Sequence, residues 1–253
     1  MSIGPLSLES AAIICVALFV GSIAKAVTGF GLPMVSVPLL AGFLGVERAV
    51  VVMIIPTFVS NAWLMWEHRR EAAAARGMVV FLAAGIVGTV AGSWVLAALS
   101  GRALALILAA WLGSYLVLQL VRPGLRLATE PAPAVTGAVG LAAGLCQGAT
   151  GASGPVAGPW FHAFGLAPSA YVFSVSTVFF TLAATQMAAV ASFGLVDEER
   201  LLEGLVALAP IALGLPLGIR LARTLDRRVF NWCLLAMLWA LEARLLWQGL
   251  RFG

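Results

Sequence analysis

The chain of 253 residues is 62% hydrophobic and only 10% charged, with a mean hydropathy of +1.03. That composition excludes an ordinary soluble domain or a nucleic-acid-binding module and identifies an integral membrane protein. The net charge of +4 comes mostly from loop arginines, which set topology in a membrane protein rather than recruit acidic partners.

Apolar stretches of about 17 to 25 residues recur from end to end, long enough to cross a hydrocarbon core of roughly 30 Å as helices. The alternation of a membrane β-barrel is absent. The expected fold is therefore all-α, a polytopic transmembrane bundle forming one membrane domain. Met1 to Ser10 lacks a basic leader and carries Glu9, so the first apolar stretch is expected to be a retained span. Cys15, Cys146 and Cys233 lie in apolar context without metal-like spacing and are expected to pack rather than pair.

In chain order, a long arm from about Ala11 to Val27 is interrupted at Thr28 to Leu32 and resumes as a short arm from Pro33 to Leu44. The short arm spans only roughly 18 Å at 1.5 Å per residue, so a re-entrant hairpin and two tilted spans both fit. Three fuller spans follow, near Ala49 to Trp66, Met78 to Leu99 and Ala103 to Val121. The proline-bearing segment Arg122 to Glu130 and the prolines just after it divide the chain into a first repeat, residues 1–124, and a second, 125–253. The second repeat has a long arm from Val135 to Ala149, a break, a short arm from Pro155 to Gly165, and spans near Ala170 to Phe193, Leu201 to Leu221 and Val229 to Leu250.

The breaks carry the internal similarity. Lys25-Ala-Val-Thr28-Gly29-Phe-Gly31-Leu-Pro33 aligns with Gln147-Gly-Ala-Thr150-Gly151-Ala-Ser153-Gly154-Pro155. In the next span, Thr57 and Asn61 fall opposite Thr177 and Thr181; later, Gly88 and Gly92 fall on Gly214 and Gly218. Placing Arg69, Arg70 and Arg76 in the cytoplasm puts Arg122, Arg126, Arg220, Arg223, Arg227 and Arg228 on the same side. Arg48, Arg102, Arg200 and the run Asp197-Glu198-Glu199 fall outside. Each half then has an odd number of crossings, which makes an inverted repeat in a plasma (inner) membrane protein with both termini extracytoplasmic. Trp63, Trp66, Trp94 and Trp111 suit interfacial belts or helix packing, and His68 and His162 suit an interface.

Backbone that leaves the helix at membrane depth survives only where protein or a watery cavity satisfies its polar groups, and half-helix ends at the midplane are a recurrent transport site. Lys25 is the only lysine and lies in an apolar run, where a cation is costly unless paired, hydrated or used. Its mate Gln147 is also polar. Gly29, Gly31, Gly151 and Gly154 are expected to permit positive φ and leave amides open to a ligand. Pro33 and Pro155 suit the first turns of the short arms, whose N-termini present partial positive charge. Thr28, Thr150 and Ser153, with Asn61 and Gln186 as buried amides, complete a predicted substrate-binding set for a small anion. Glycines serving only close helix packing are the plainer alternative, expected at Gly88/Gly92 and Gly214/Gly218. Glu242 and Arg244 interrupt the last span, and a structural ion pair or an early helix end is expected ahead of a proton-coupling carboxylate. No phosphate-binding loop, zinc helix motif or nucleophile elbow is present, so an ion gradient (H+ or Na+) is the expected energy source and an enzyme is not expected.

The duplicated Gly-rich breaks with their short Pro-bearing arms (Thr28 to Leu40, Thr150 to Trp160) and the Gly88/Gly92 and Gly214/Gly218 spans resemble the TauE/SafE family over nearly the whole chain. The resemblance implies a small duplicated membrane exporter of sulfite, sulfoacetate or related C2 sulfonates, without a cofactor. Lys25 and the Thr-Gly breaks are the positions it carries over. The second glycine run is diluted by Ala152 and Ser153, and Lys25 faces Gln147 rather than a second cation. A carrier of carboxylates, an anion channel and a membrane-embedded scaffold are the competing readings. Transport direction and oligomeric state are left open.

Overall fold

A computed structural model describes residues 2–3, 6–28, 31–74, 78–121, 131–224 and 227–251. Gly29, the first repeat's break and the central segment 122–130 lie outside them, as does the side chain of Thr28. Among the described residues the architecture is helical, apart from a two-residue antiparallel pairing of β1 (Ser2–Ile3) with β2 (Leu6–Ser7).

The first half comprises α1 (Leu8–Thr28), α2 (Gly31–Leu44), α3 (Val46–Glu67), α4 (Met78–Ala98) and α5 (Gly101–Val121), with a 3-10 turn at Arg69–Ala74. The second comprises α6 (Pro133–Thr150), α7 (Gly154–Ala163), α8 (Pro168–Ser192), α9 (Glu198–Val206), α10 (Leu208–Thr224) and α11 (Arg227–Arg251). Five stretches among the described residues are long and apolar enough to cross a membrane: Leu8–Ala26, Val46–Glu67, Met78–Ala98, Pro168–Ser192 and Glu198–Leu221. Of the residues expected in the first break, three are helical. Thr28 closes α1 and Gly31 and Leu32 already belong to α2. The expected span near Leu201 to Leu221 is present within the apolar stretch Glu198–Leu221, interrupted at the single residue Ala207 between α9 and α10, where Pro210 has no N–H to return to Val206.

Helices of one half pack on helices of the other. α4 lies along α6, α10 along α1, α3 against α8 and α5 against α11. The α4–α6 contact is backbone on backbone. A Cβ on Gly144 would stand 2.0 Å from the carbonyl oxygen of Gly85, and one on Gly88 2.3 Å from that of Leu141. Small residues let helices approach this closely where lipid offers no hydrophobic drive to association. On α10, a Cβ at Gly214 would meet Ser22 Oγ and one at Gly218 would stand 2.6 Å from Ala26 Cβ, both on α1. The glycine pairs expected to serve packing do so.

Large apolar side chains such as Val16, Val79, Val87 and Leu213 face outward, as lipid-facing surfaces require. Trp63, Trp66 and Trp94 are exposed among them, but Trp111 is buried in the core and belongs to no belt.

Candidate functional site

The end of α1 carries Lys25 into the interior, where it is 4% exposed. Its ammonium donates to Ser60 Oγ at 2.9 Å and Asn61 Oδ1 at 3.1 Å, both on α3. Those acceptors are oriented by their own helix: Asn61 Nδ2 donates to the Thr57 carbonyl at 2.7 Å, and Ser60 Oγ donates to the same oxygen at 3.4 Å. Their remaining lone pairs are thereby turned to the ammonium. Among the described residues, no carboxylate lies within ion-pair distance of Lys25. One turn before Asn61, the buried Thr57 hydroxyl has no hydrogen-bond partner.

The second half builds a neutral counterpart. Gln147, near the end of α6, donates from Nε2 to Gln186 Oε1 on α8 at 2.9 Å. Gln147 Oε1 accepts from Ser153 Oγ at 2.9 Å and Ser153 N–H at 3.2 Å. Gln186 Nε2 donates to the main-chain carbonyls of Gln147 and Gly148, at 2.8 and 3.1 Å. Both carbonyls belong to the last turn of α6, where helical partners run out. Gly151 makes that stop with φ 71°, its N–H returning to the Gln147 carbonyl at 2.8 Å. Asn61 and Gln186 thus hold equivalent places against Lys25 and Gln147. Thr181, aligned with Asn61 in the sequence, does not hold that place.

Several predicted roles are corrected. Gly31 and Gly154 are ordinary helical residues, so among the described breaks Gly151 alone adopts positive φ. Pro33 and Pro155 do fall in the first turns of α2 and α7. The Thr150 hydroxyl bonds back to the Cys146 carbonyl at 2.7 Å, within its own helix. Gly151 abuts Val50 of α3 and Val37 of α2, and Val50 precedes Asn61 by about 16 Å of helix at 1.5 Å per residue. Lys25 and Gln147 head two polar nodes at different heights along α3 and α8.

The sequence reading missed an ionic cluster at the Val46 end of α3. Arg48 pairs with Glu199 at 2.5 Å and Glu203 at 2.6 Å on α9, and Arg200 pairs with Glu47 at 2.8 Å in return. Glu203 is fully buried. Arg200 also donates to the Leu195 carbonyl, and Asp197 caps α9 by accepting the Arg200 N–H at 2.8 Å.

The structural ion pair expected of Glu242 and Arg244 is also corrected. Residues two apart on a helix point about 200° away from each other, and α11 continues past both. Arg244 Nη2 donates to the Gly42 carbonyl of α2 at 2.7 Å, with its guanidinium 4.0 Å above the Phe43 ring. Glu242 lies on the other face, against Gly113 of α5.

Long apolar helices, glycine-mediated backbone packing and buried polar nodes around a lone lysine define an integral, multi-pass membrane protein of the transporter kind. The chain belongs to the Sulfite exporter TauE/SafE family, whose profile matches residues 13–245. Neither a curated protein nor a solved structure gives a match.

Proposed function

We propose that the protein is a secondary transporter that binds a small sulfur oxyanion or C2 organosulfonate at Lys25 and moves it by alternating access. The observation that carries this reading is the Lys25 ammonium, buried against two neutral oxygens with no carboxylate beside it among the described residues. An intramembrane cation without a counter-charge is costly, and an arriving anion would supply that charge. Asn61, Ser60 and the unpartnered Thr57 hydroxyl would complete its hydrogen bonds, with the first turn of α2 adding partial positive charge. The family supports the substrate class.

Gln147, Gln186 and Ser153 serve in this proposal as a second, neutral station at the other end of α3 and α8. In the described arrangement their hydrogen bonds are spent on one another, so this station is closed while the Lys25 node retains an unused hydroxyl. The halves 1–124 and 125–253 would be inverted repeats that rock against each other in the inner membrane, termini outside. The crosswise pairing of α4 with α6 and α10 with α1 supports that relation.

Proteoliposomes preloaded with unlabelled sulfite, sulfoacetate or a C2 dicarboxylate test this by counterflow of the labelled anion. Sulfite or sulfoacetate exchange without steady current supports the proposal. Exchange of carboxylate alone overturns the substrate class, and an ohmic anion current without counterflow overturns the carrier.

A further inference from the structure

Glu242 is a buried acid that the anion site leaves unused. It is 6% exposed in the middle of α11, and its Oε2 has no hydrogen-bond partner. Its Oε1 lies so near α5 that a Cβ at Gly113 would stand 3.1 Å away. Among the described residues, the helices packed most closely against α11 are α5 and α2. On α5 the titratable or charged residues are Arg102, in the first turn, and Tyr115, two positions beyond Gly113; α2 has none. On α11 itself, Arg244 is turned to α2, Cys233 lies more than two turns away, and Arg227, Arg228 and Arg251 sit at the helix ends. No cation therefore answers this carboxyl at ion-pair distance among the described residues.

A carboxylate in such surroundings needs either a counter-charge or a proton. A metal cation requires several oxygen ligands, and the face opposite Glu242 is a glycine. A proton needs one oxygen with an open lone pair, which Oε2 has. The helix that carries Glu242 also grips the short arm of the Lys25 node, since Arg244 holds the Gly42 carbonyl at the far end of α2. A change of charge on one face of α11 therefore acts on the helix that α2 hangs from.

We propose that Glu242 is a proton-binding site, loaded in the described arrangement and emptied during the transport cycle, which couples proton movement to the anion site through α11 and α2. The proton site stands on Glu242 alone, whereas the coupling rests on the anion-carrier reading.

Infrared difference spectra of wild type against Glu242→Gln test the first part. A protonated-carboxyl C=O band that belongs to Glu242 and bleaches as pH rises is expected. Its absence at every pH where the protein is folded overturns the proton site. Should Glu242→Gln not fold, Gly113→Ala places a methyl beside Oε1 and should shift the band's frequency; an unmoved band overturns the assignment. For the coupling, an imposed pH gradient should stimulate labelled sulfoacetate flux several-fold in wild type. Glu242→Gln should keep exchange at equal pH and lose that stimulation. Stimulation that persists in the variant, or none in an actively exchanging wild type, overturns coupling. A wild type that exchanges no anion defeats the carrier reading, and the infrared result then decides the proton site by itself.

Discussion

A single methyl group on α6 tests whether the α4–α6 contact is as close as described. In Gly144→Ala the new Cβ would stand 2.0 Å from the Gly85 carbonyl oxygen and 2.8 Å from both the Gly85 carbonyl carbon and the Thr89 nitrogen. All three atoms are main chain and cannot rotate away. A carbon–oxygen contact settles at about 3.3 Å or more, so the helices must part locally by more than about 1 Å. Overpacking of this kind costs about 1–3 kcal/mol, which at roughly 2–4 °C per kcal/mol for a chain of this size lowers Tm by about 2–12 °C. Gly137→Ala on the same helix is the control, because its Cβ meets only a Val80 methyl at an ordinary 3.7 Å. Intrinsic helix propensity favours both substitutions by up to about 1 kcal/mol. Thermal melting of purified protein in detergent, followed by the loss of the monodisperse size-exclusion peak, should rank Gly144→Ala well below Gly137→Ala. Equal melting of the two variants would refute the backbone-to-backbone packing.

The ionic cluster should respond asymmetrically. Arg48→Met strands the buried Glu203 and should cost about 3 kcal/mol or more, whereas Glu199→Gln, at a half-exposed partner, should cost under about 1 kcal/mol. Denaturant titration of both variants in detergent distinguishes them, and equal losses would contradict the buried role of Glu203. Gln186→Leu removes three hydrogen bonds and leaves the Gln147 amide and the Gly148 carbonyl short of partners, while the Gln147 carbonyl keeps the Gly151 N–H. At about 1–3 kcal/mol for each buried group left unsatisfied, its thermal midpoint should fall by several degrees. Backbone amides of the last turn of α6 should also lose hydrogen-exchange protection, and unchanged protection there would count against the second node.

Much of the architecture was legible because apolar length and its interruptions are local signals. α4 begins at Met78 and α7 at Gly154, within a residue of where the pattern places them. The errors arise where a side chain's role depends on distant chain. α3 starts at Val46, before Glu47 and Arg48, whereas the expected span began near Ala49. Both are accommodated by α9, some 150 residues later, and no local pattern announces such a pairing. The acidic run at Asp197 did hold a signal, an acidic cap followed by carboxylates in a first helical turn, that identifies a helix start. Pro210 similarly marked the division of α9 from α10.

Sequence reasoning singled out Lys25, Gln147, Asn61 and Gln186, which the structure buries and pairs, because amides and a lone lysine are conspicuous in apolar runs. Their pairing was hidden, since Lys25 to Asn61 and Gln147 to Gln186 span different separations and eye alignment favoured Thr181. The depth of the second break was hidden too. Gly151 lies against Val50, far along α3 from Asn61, and no local pattern gives that placement.

The most direct test of the account is sulfite counterflow by Lys25→Met in proteoliposomes, with wild type and variant matched for folded protein. Methionine keeps the bulk of the side chain and removes the charge that answers the anion. The account predicts exchange by wild type and its loss in the variant, while the purified variant retains a monodisperse, helical fold. Sulfite exchange persisting at the wild-type rate in Lys25→Met would contradict the placement of the anion at Lys25.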